Sequence, residues 1–484
     1  MTTTTDILQS LLDTVGATYA SADRVQIVGN DPIFDTPFRV SEAAAAILAA
    51  QGLIIDEIWS RRGHARQDIK VEVMAAGLAT MGVFLQSQHG YNLPVPDADY
   101  PSVGFYPTRD GRQILLHGGY PKLRDRTLEI LGCANSREAI ANAVMRWDAV
   151  ELENYLADKG CTGAVARSYT EWLAHPQGAL VAASPIVEIE KIGDSKPVPF
   201  ATSAARPLSD IKVMDLTHVI AGPTCAKTLA SFGAEVLHIF CPTRARLAPF
   251  DIDTGHGKMQ ALLDLKKPAD NHVARGLLKQ ADVFSQSYRP GKLTSLGFSP
   301  HGLAEARPGI IVTSTSCYGH EGPWHFRPGF EQLAQAATGM AVEQGAIDSP
   351  QLAPTFPNDY LTGFLGALGT LVALVRRSEE GGSYHVKVSL SRSATWLQSL
   401  GKVDRSRCDP AAITPDYINR YMCRETGPLG VLEYFGFPLQ MSQTKPYYEL
   451  PAAPLGAHFP VWAADQDAAR AAAMAKGKTL AKAA

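Results

Sequence analysis

Two stretches of the chain share one order of hydrophobic and polar positions: apolar helix, charged turn, alternating strand and second helix. In the first, apolar residues predominate at positions 41–59, a polar turn spans 61–68, and an alternating strand follows at 69–73. In the second, an apolar helix over 363–375 precedes a charged, glycine-rich turn at 376–383 and an alternating strand at 384–390. Apolar residues recur every three to four positions in a helix and every second position in a strand, and this difference distinguishes the elements. The shared order indicates a weak internal repeat from duplication, with coincidence as the alternative.

Beyond position 211, strand and helix patterns alternate. Strands are predicted at 211–215, 235–240, 283–287 and 309–314, and helices at 223–232 and 271–280. This rhythm is typical of a parallel sheet with helices on both faces. Four loops follow or flank these strands: 218–222, 242–250, 287–291 and 316–319. We expect them to meet at the carboxyl edge of the sheet, where ligands bind.

A separate unit is predicted between positions 102 and 189. It begins with a hairpin around Thr108–Arg112, whose Asp-Gly pair favours a turn, and continues with three amphipathic helical stretches. The predicted fold class is therefore α/β: a large domain with a Rossmann-like parallel sheet and helices on both faces, plus a small α+β domain.

Composition narrows the functional classes. A chain of 484 residues with 45% hydrophobic and 19% charged residues is expected to form two or three globular domains. The net charge of −3, without a dense basic block, argues against nucleic acid or a membrane as partner. No leader pattern and no apolar run of membrane-spanning length is evident, which favours a cytoplasmic protein. The seven scattered cysteines include no C-x-x-C pair, so neither a disulfide framework nor a metal site is expected.

The first candidate for chemistry is Asp359, which leads out of a proline-punctuated loop into an apolar helix. A carboxylate at a helix start is commonly a cap, but it can also act as a partly desolvated nucleophile. The loop Asp215-Leu-Thr-His-Val-Ile-Ala-Gly-Pro223 opens another helix with small residues, which suits an anion or a nucleotide. It matches neither phosphate-loop nor dinucleotide fingerprints. Basic and aromatic side chains at 266 and 288–289 are consistent with an extended phosphorylated ligand.

In order along the chain, these motifs resemble those of the class III CoA-transferase family, which includes formyl-CoA and carnitine CoA-transferases and the α-methylacyl-CoA racemases. The resemblance covers about residues 206–398 and rests on Asp215–Pro223, Leu263-Asp-Leu-Lys-Lys-Pro268, Tyr288-Arg-Pro-Gly291 and Asn358-Asp-Tyr-Leu-Thr-Gly363. It implies a CoA-transferase that moves CoA from an acyl-CoA thioester to a carboxylic acid through an aspartyl anhydride and thioester. CoA or acyl-CoA would be the substrate, with no metal.

The resemblance also implies site residues. Asp359 aligns with the catalytic aspartate, and Glu331 is the other candidate residue of the catalytic site. The implied CoA-binding residues are His218, Val219, Ala221, Gly222, Leu263, Lys266, Ser287, Tyr288, Arg289 and Gly291.

One departure from the family pattern separates two activities. The racemase branch usually has a proton-exchanging histidine in a Gly-His-Asp motif, and this chain has Gly329-Phe-Glu331 there. Phenylalanine cannot exchange a proton, so transferase is favoured over 2-methylacyl-CoA racemase or epimerase. Glu331 either orients the site or is a structural carboxylate. His320 and His325 are expected at the surface.

Domain order is the second departure, because here the small domain precedes the nucleotide-binding half. The predicted layout has five parts: 1–100, resembling the second part of a family large domain; 101–195, small domain; 196–205, linker; 206–405, CoA-binding large domain; and 406–484, C-terminal wrap and tail. The chain is either a truncated first copy joined to a second copy or a permuted arrangement. The resemblance implies a homodimer, with interlocked chains as one form.

The third departure lies in the phosphate contacts, since Phe240–Arg246 differs from the family segment that touches the nucleotide. Either CoA affinity is weakened or Arg244 and Arg246 supply the missing charge. A catalytically inactive CoA-binding subunit is therefore the remaining alternative.

Overall fold

The computed structural model describes residues 3–95 and 100–483 of the chain. The N-terminal segment contains α1 (Thr4–Thr14), β1 (Val25–Val28), α2 (Val40–Arg61), β2 (Ile69–Glu72), α3 (Val73–Leu78), β3 (Gln86–Gln88) and β4 (Tyr91–Asn92). The small unit that follows contains β5 (Val103–Pro107), β6 (Gln113–His117), α4 (Pro121–Leu131), α5 (Arg137–Val144), α6 (Ala149–Asp158), β7 (Gly163–Val165), α7 (Tyr169–Ala174) and α8 (Pro176–Ala183).

The large unit runs from residue 188 to residue 399. Its elements are β8 (Glu188–Gly193), β9 (Lys212–Leu216), α9 (Ala221–Ser231), β10 (Glu235–Phe240), α10 (Ala248–Asp253), β11 (Lys258–Leu262), α11 (Pro268–Leu278), β12 (Val283–Gln286), α12 (Pro300–Ala306), β13 (Ile311–Ser316), α13 (Glu331–Thr338), α14 (Met340–Gln344), α15 (Pro357–Glu380), β14 (Ser383–Ser389) and α16 (Leu390–Ser399). The C-terminal part adds α17 (Pro415–Asn419), β15 (Met422–Gly427), β16 (Gly430–Phe435), β17 (Leu439–Met441) and α18 (Gln466–Ala483).

A seven-stranded sheet organises the large unit. Its strand order is β11-β10-β9-β12-β13-β14-β8, and all neighbours are parallel except β14 and β8. The order reverses between β9 and β12, which creates the switch point where loops leave a crevice at the carboxyl edge. The predicted α/β class with a Rossmann-like sheet is confirmed. The edge strand β8 lies inside the range 101–195 predicted for the small domain, yet it pairs with this sheet.

Both faces of the sheet are buried, as continuous apolar strands require. Adjacent residues such as Val213 and Met214 belong to two different hydrophobic clusters, one shared with α9 and α15 and the other with α11 and α12. This alternation follows from the two-residue period of a strand. The helices on the first face, α9 and α15, both begin beside the crevice.

The helices α2 and α15 lie in the core and contact each other; Gln51 Nε2 donates to Phe364 O at 2.6 Å. Both are long and apolar enough to cross a membrane by length and composition, contrary to the expectation from sequence, but they are 94% and 100% buried within the protein over their most apolar windows. A buried core helix meets the same criterion.

The two similar stretches do share the order helix, strand, helix, as α2-β2-α3 and α15-β14-α16. One constant spacing aligns Arg61 with Arg376, Val71 with Val386, and Thr80 with Thr395. At that spacing Ala44 aligns with Asp359, so the first stretch has no acidic residue at the aligned position. Unlike β14, β2 lies in a separate three-stranded sheet with β1 and β17.

The C-terminal part returns to the N-terminal segment. The strand β16 pairs with β3, and β17 pairs with β2, so both ends of the chain share two small sheets. The small unit has its own sheet, β5-β6-β7, under α4, α5 and α6, which agrees with the predicted hairpin. The helix α18 lies within the range 406–484 predicted as the C-terminal wrap and tail.

Candidate active site

Two connected cavities lie at the carboxyl edge of the large sheet. The smaller has a volume of about 80 Å³ and contains Asp359 in its wall, and the larger is a cleft of about 750 Å³. Five residues line both: His218, Ser287, Arg289, Gly329 and Phe330. A long ligand lying in the cleft can therefore direct one end into the smaller cavity. We call these the cleft and the acyl cavity.

Asp359 lies in the first turn of α15, two residues after Pro357, which occupies the first helical position. Proline at that position costs the helix nothing, because the first N–H groups have no partner within the helix. The residue is 7% exposed, and burial followed by the negative charge of Glu331 raises the pKa of its carboxyl well above the ordinary value. The side chain is thus a desolvated carboxyl group, with its ionised form disfavoured, in the wall of a cavity.

Glu331 lies behind Asp359, outside both cavities. One of its carboxylate oxygens, Oε1, accepts hydrogen bonds from the backbone N–H of Asn358 at 3.2 Å, from the Asn358 side chain at 3.2 Å and from Gln335 at 2.8 Å. A negative charge at a helix N-terminus is favourable. Burial nevertheless raises the pKa of Glu331 to about 7. Glu331 therefore positions the first turn of α15 and acts on Asp359 through its charge.

The helix α9 supplies the opposite wall, and two glycines allow its first turn to lie close to its neighbours: Gly222 beside Thr217 of the preceding loop, and Gly363 of α15 beside Ala221. A Cβ atom on Gly222 would lie 2.6 Å from Thr217, and one on Gly363 would lie 2.5 Å from the carbonyl oxygen of Ala221. In the loop before α9, Val219 has a φ of 70°, a conformation that branched residues rarely adopt. Such strain is frequent at ligand sites. The loop thereby brings unpartnered N–H groups of α9 to the acyl cavity.

A hydrogen-bonded chain connects the acyl cavity to the cleft. Arg244 Nη2 lies 2.6 Å from His218 Nε2, and Ser287 Oγ lies 3.1 Å from His218 Nδ1. A guanidinium can only donate, so Nε2 is the acceptor and Nδ1 carries the proton. Burial, with the charge of Arg244 adding to it, holds the pKa of His218 well below its usual value. A neutral imidazole thus orients a guanidinium that also stacks on Tyr288, 5.0 Å from the ring centre.

The small unit forms the other wall of the cleft, through Tyr120, Lys122, Leu123 and Gly160. The rings of Tyr120 and His117 stack on Phe330, with centroid distances of 5.5 and 4.5 Å. Phe330 belongs to the large unit and lines both cavities. One chain therefore supplies both walls of the cleft.

Comparison with known proteins identifies the family. A family model described as CoA-transferase family III matches residues 208–407. An acyl-CoA transferase from Gibberella moniliformis (strain M3125 / FGSC 7600) is 30% identical over 412 residues, which cover 76% of this chain and 72% of that protein. The chain belongs to CoA-transferase family III. The resemblance found in the sequence motifs is confirmed.

Two further relatives of the family are shorter matches. Acetyl-coenzyme A transferase nodX from Hypoxylon pulicicidum is 33% identical over 327 residues, 62% of this chain and 55% of that protein. Formyl-CoA:oxalate CoA-transferase from Afipia carboxidovorans (strain ATCC 49405 / DSM 1227 / KCTC 32145 / OM5) is 32% identical over 216 residues, 42% of this chain and 51% of that protein. The chain spans about half the length of these two relatives.

The structure brings together nearly all residues that the family motifs implied. Asp359 and the predicted CoA-binding residues line the acyl cavity, the cleft or both, except Gly291. Gly291 instead lines a separate cavity of about 260 Å³ next to α12. That these residues bind CoA stays a prediction.

Several residues at the site were missed or misplaced from the sequence. His325 was expected at the surface, but it is half-buried and lines the acyl cavity, where Arg327 and Cys317 also lie. Of the two arginines considered as replacements for lost charge, Arg244 lines the cleft, whereas Arg246 lies 4.0 Å from Asp251. No local pattern marks Tyr120 or the loop of Arg327, because their role depends on contacts between distant parts of the chain.

Proposed function

We propose that this family III member catalyses CoA transfer from an acyl-CoA to a carboxylic acid, with Asp359 as the covalent carrier. The observation that carries the proposal is the position of Asp359. In the part of the chain that the structure describes, it is the one acidic residue that lines the acyl cavity, at the inner end of the cleft. The name of the formyl-CoA:oxalate relative describes transfer between a thioester and a carboxylic acid.

The chemistry proceeds in balanced exchanges. The Asp359 carboxylate attacks the thioester carbonyl of the donor, giving an acyl anhydride and a CoA thiolate; the thiolate then attacks the aspartyl carbonyl and releases the donor acid. The acceptor carboxylate reverses both steps, which regenerates Asp359 and gives the new acyl-CoA. A carboxylate suits this relay because covalent catalysis divides one difficult step into easier ones.

The residues around Asp359 have distinct roles in this proposal. Ala221 and Gly222 present the first N–H groups of α9, which have no partner within the helix and can donate to the developing oxyanion. In the cleft, Arg244 and Lys266 supply positive charge for the phosphates of CoA. Burial of Asp359 removes water that would otherwise hydrolyse the anhydride.

The test is trapping of the intermediate. Hydroxylamine added with an acyl-CoA should form a hydroxamate on Asp359, identified by peptide mass spectrometry, and no adduct should form without the acyl-CoA. Asp359→Asn should lose transfer by at least about a thousandfold while remaining folded, because the nucleophile is removed.

Asp251 offers a matched control. It lies in the first turn of α10, and burial raises the pKa of its carboxyl to about 6, yet it lines neither cavity. Asp251→Asn should retain transfer and the adduct. Transfer that survives in Asp359→Asn, or an adduct on another residue, would refute the proposal.

One observation supports 2-methylacyl-CoA racemisation as a second candidate. His325 lies in the acyl cavity with Asp359, and its Nδ1 lies 2.7 Å from the carbonyl oxygen of Gly322. A carbonyl only accepts, so Nδ1 carries the proton and Nε2 is left basic. Exchange of the α-proton of a 2-methylacyl-CoA with deuterated water, without any acceptor acid and lost in His325→Gln, would support this activity; no exchange across several such esters would exclude it.

A further inference from the structure

A buried ion pair lies between the large sheet and α9. Lys258 Nζ lies 2.9 Å from Asp215 Oδ2, and the two side chains are 1% and 0% exposed. Asp215 is near the carboxyl end of β9 and Lys258 is the first residue of β11, with β10 between the two strands. Burial alone would raise the pKa of the Asp215 carboxyl, but the charge of Lys258 keeps that pKa below its ordinary value. The pair is therefore ionised inside the protein.

The same two side chains hold the segment that leads into α9. Lys258 Nζ donates a second hydrogen bond, of 2.8 Å, to the carbonyl oxygen of Pro223, the third residue of the helix. Asp215 Oδ1 accepts from the backbone N–H and from the hydroxyl of Thr217, at 3.1 and 2.5 Å. His238 Nε2 lies 2.9 Å from the carbonyl oxygen of Thr217 and fixes the segment from another side. The ion pair thus binds both the start of this segment and the first turn of the helix.

The first turn of α9 has two unused N–H groups. Pro223 has no N–H, and the N–H of Thr224 donates to the carbonyl oxygen of Ile220 at 2.8 Å. Among the residues that the structure describes, Ala221 and Gly222 give their N–H groups to no acceptor, and both residues line the acyl cavity. Backbone N–H groups at a helix start point along the helix axis. A bond that fixes the carbonyl of Pro223 therefore also fixes the direction of these two donors.

Stability alone does not account for an ion pair at this place. The lost hydration of two buried charges offsets most of their attraction, and replacing such a pair by apolar side chains of similar volume is often neutral or stabilising. The neighbours of Lys258 across the sheet are Val236 and then Val213, and both belong to the apolar core. An apolar side chain would therefore suit this row of the sheet. It could not donate a hydrogen bond to the carbonyl oxygen of Pro223.

We propose that Asp215 and Lys258 are positioning residues for CoA transfer: they hold the first turn of α9 so that its two free N–H groups meet the oxyanion formed at the acyl carbonyl. This rests on the proposed function. Neither residue lines the acyl cavity or the cleft, so both act through α9. The helix is close to the nucleophile, because a Cβ atom on Gly363, one turn after Asp359, would lie 2.5 Å from the carbonyl oxygen of Ala221.

The double variant Asp215→Leu/Lys258→Met separates positioning from stability. It removes both charges together and keeps side chains of similar volume, so no charge is left buried without a partner. We expect urea unfolding close to that of the wild type, but a kcat lower by about 10- to 100-fold, because the two donors lose their support. The KM for the acyl-CoA should not change, since loss of an interaction made only in the transition state lowers kcat and kcat/KM equally.

Hydroxylamine trapping with the full chain measures the step in which the oxyanion first forms. The donors are acetyl-CoA, propionyl-CoA and succinyl-CoA, and the one that the wild type uses fastest then serves for every variant. The hydroxamate on Asp359 should form more slowly in the double variant by the same factor as kcat. Lys258→Arg keeps a positive charge and hydrogen-bond donors but has a wider, planar head. It should fold, keep the KM and have a kcat between those of the wild type and the double variant.

Asp282 and Arg377 provide a matched control. They form another buried pair beside the same sheet, with Arg377 Nη1 2.9 Å from Asp282 Oδ1. Asp282 directly precedes β12, so this pair lies at the amino edge of the sheet, away from the acyl cavity. Asp282→Leu/Arg377→Met should leave the kcat of the folded protein unchanged, whatever its effect on urea unfolding.

The outcomes distinguish the two proposals. A folded double variant that keeps the wild-type kcat, one that loses only affinity for the acyl-CoA, or an equal loss of kcat in the control overturns this inference and leaves CoA transfer standing. Absence of a wild-type Asp359 hydroxamate with every donor overturns the proposed function, and this inference with it. If the double variant fails to fold, Lys258→Arg decides: a lower kcat at an unchanged KM supports positioning, and an unchanged kcat refutes it.

Discussion

Gly363→Ala tests whether the first turns of α9 and α15 must touch for the site to form. A Cβ atom at this position would lie 2.5 Å from the carbonyl oxygen of Ala221 and 2.6 Å from Thr224. Because the first contact is with backbone, no side-chain rotation relieves it and one helix must shift. Alanine gains about 1 kcal/mol over glycine in a helix interior, whereas overpacking costs about 1–3 kcal/mol. The difference between this cost and this gain predicts that the free energy of unfolding falls by up to about 2 kcal/mol.

Gly276→Ala is the matched control, since Gly276 also lies inside a helix, α11, and a Cβ there would meet nothing within 4 Å. This variant should gain about 0.5–1 kcal/mol. Urea unfolding followed by tryptophan fluorescence should therefore separate the two variants in opposite directions.

Activity provides the second measurement. The shift in Gly363→Ala moves Asp359 relative to the N–H groups of α9, and a displacement of about 1 Å can cost about a hundredfold in rate. We expect kcat for CoA transfer to fall by about 10- to 100-fold, with little change in Gly276→Ala. If Gly363→Ala is stabilised as much as Gly276→Ala, or keeps its full kcat, the packing argument is wrong.

Two further predictions concern Glu331 and Tyr360. Burial and the charge of Glu331 raise the pKa of Asp359, and a nucleophilic carboxylate must be ionised, so kcat/KM should rise with pH through that pKa. Glu331→Gln removes the charge and should move this rise to lower pH in a pH–rate profile; an unmoved profile would contradict the coupling. The buried hydroxyl of Tyr360 donates to Asp253 at 2.8 Å and accepts a backbone N–H at 2.8 Å, so Tyr360→Phe should cost about 2–4 kcal/mol in urea unfolding. A loss below about 0.5 kcal/mol would show that water replaces both bonds.

The fold class could be predicted because its signal is local and repeated. Each strand of the large sheet is a short apolar run followed by a loop with small residues, and parallel strands put those loops at one edge. Asp359 could be placed at that edge from its motif and from the proline that starts its helix. Glu331 was named as a candidate from Gly329-Phe-Glu331, but the bonds by which it holds the first turn of α15 join residues 27 positions apart.

The rest of the site depends on distant contacts that no local pattern encodes. Tyr120 reaches the cleft only because the small unit folds over the large one, and Arg327 reaches the acyl cavity only through its stack on Trp324 and its contacts with α6. Gly291 was predicted among the CoA-binding residues, but it lines neither the cleft nor the acyl cavity. It follows Arg289 in one motif, but the chain turns at Gly291 with a φ of 80°. Arg289 lines the cleft, the acyl cavity and the cavity next to α12, whereas Gly291 lines only the last of these three.

The order of the two units along the chain does not prevent a single chain from forming both walls of the cleft. The family resemblance implied a site shared between interlocked chains, and that homodimer stays a prediction. In this chain, however, the small unit precedes the large unit and still places Tyr120 and Lys122 across the cleft from Ser287. The stack of Phe330 on Tyr120 joins the two walls directly. Because the same chain supplies both walls and the carboxylate between them, a second chain need contribute no side chain to the cleft. The segment that carries Ala44 packs against α15 through the hydrogen bond from Gln51 to Phe364, and the proposed chemistry needs no carboxylate from it.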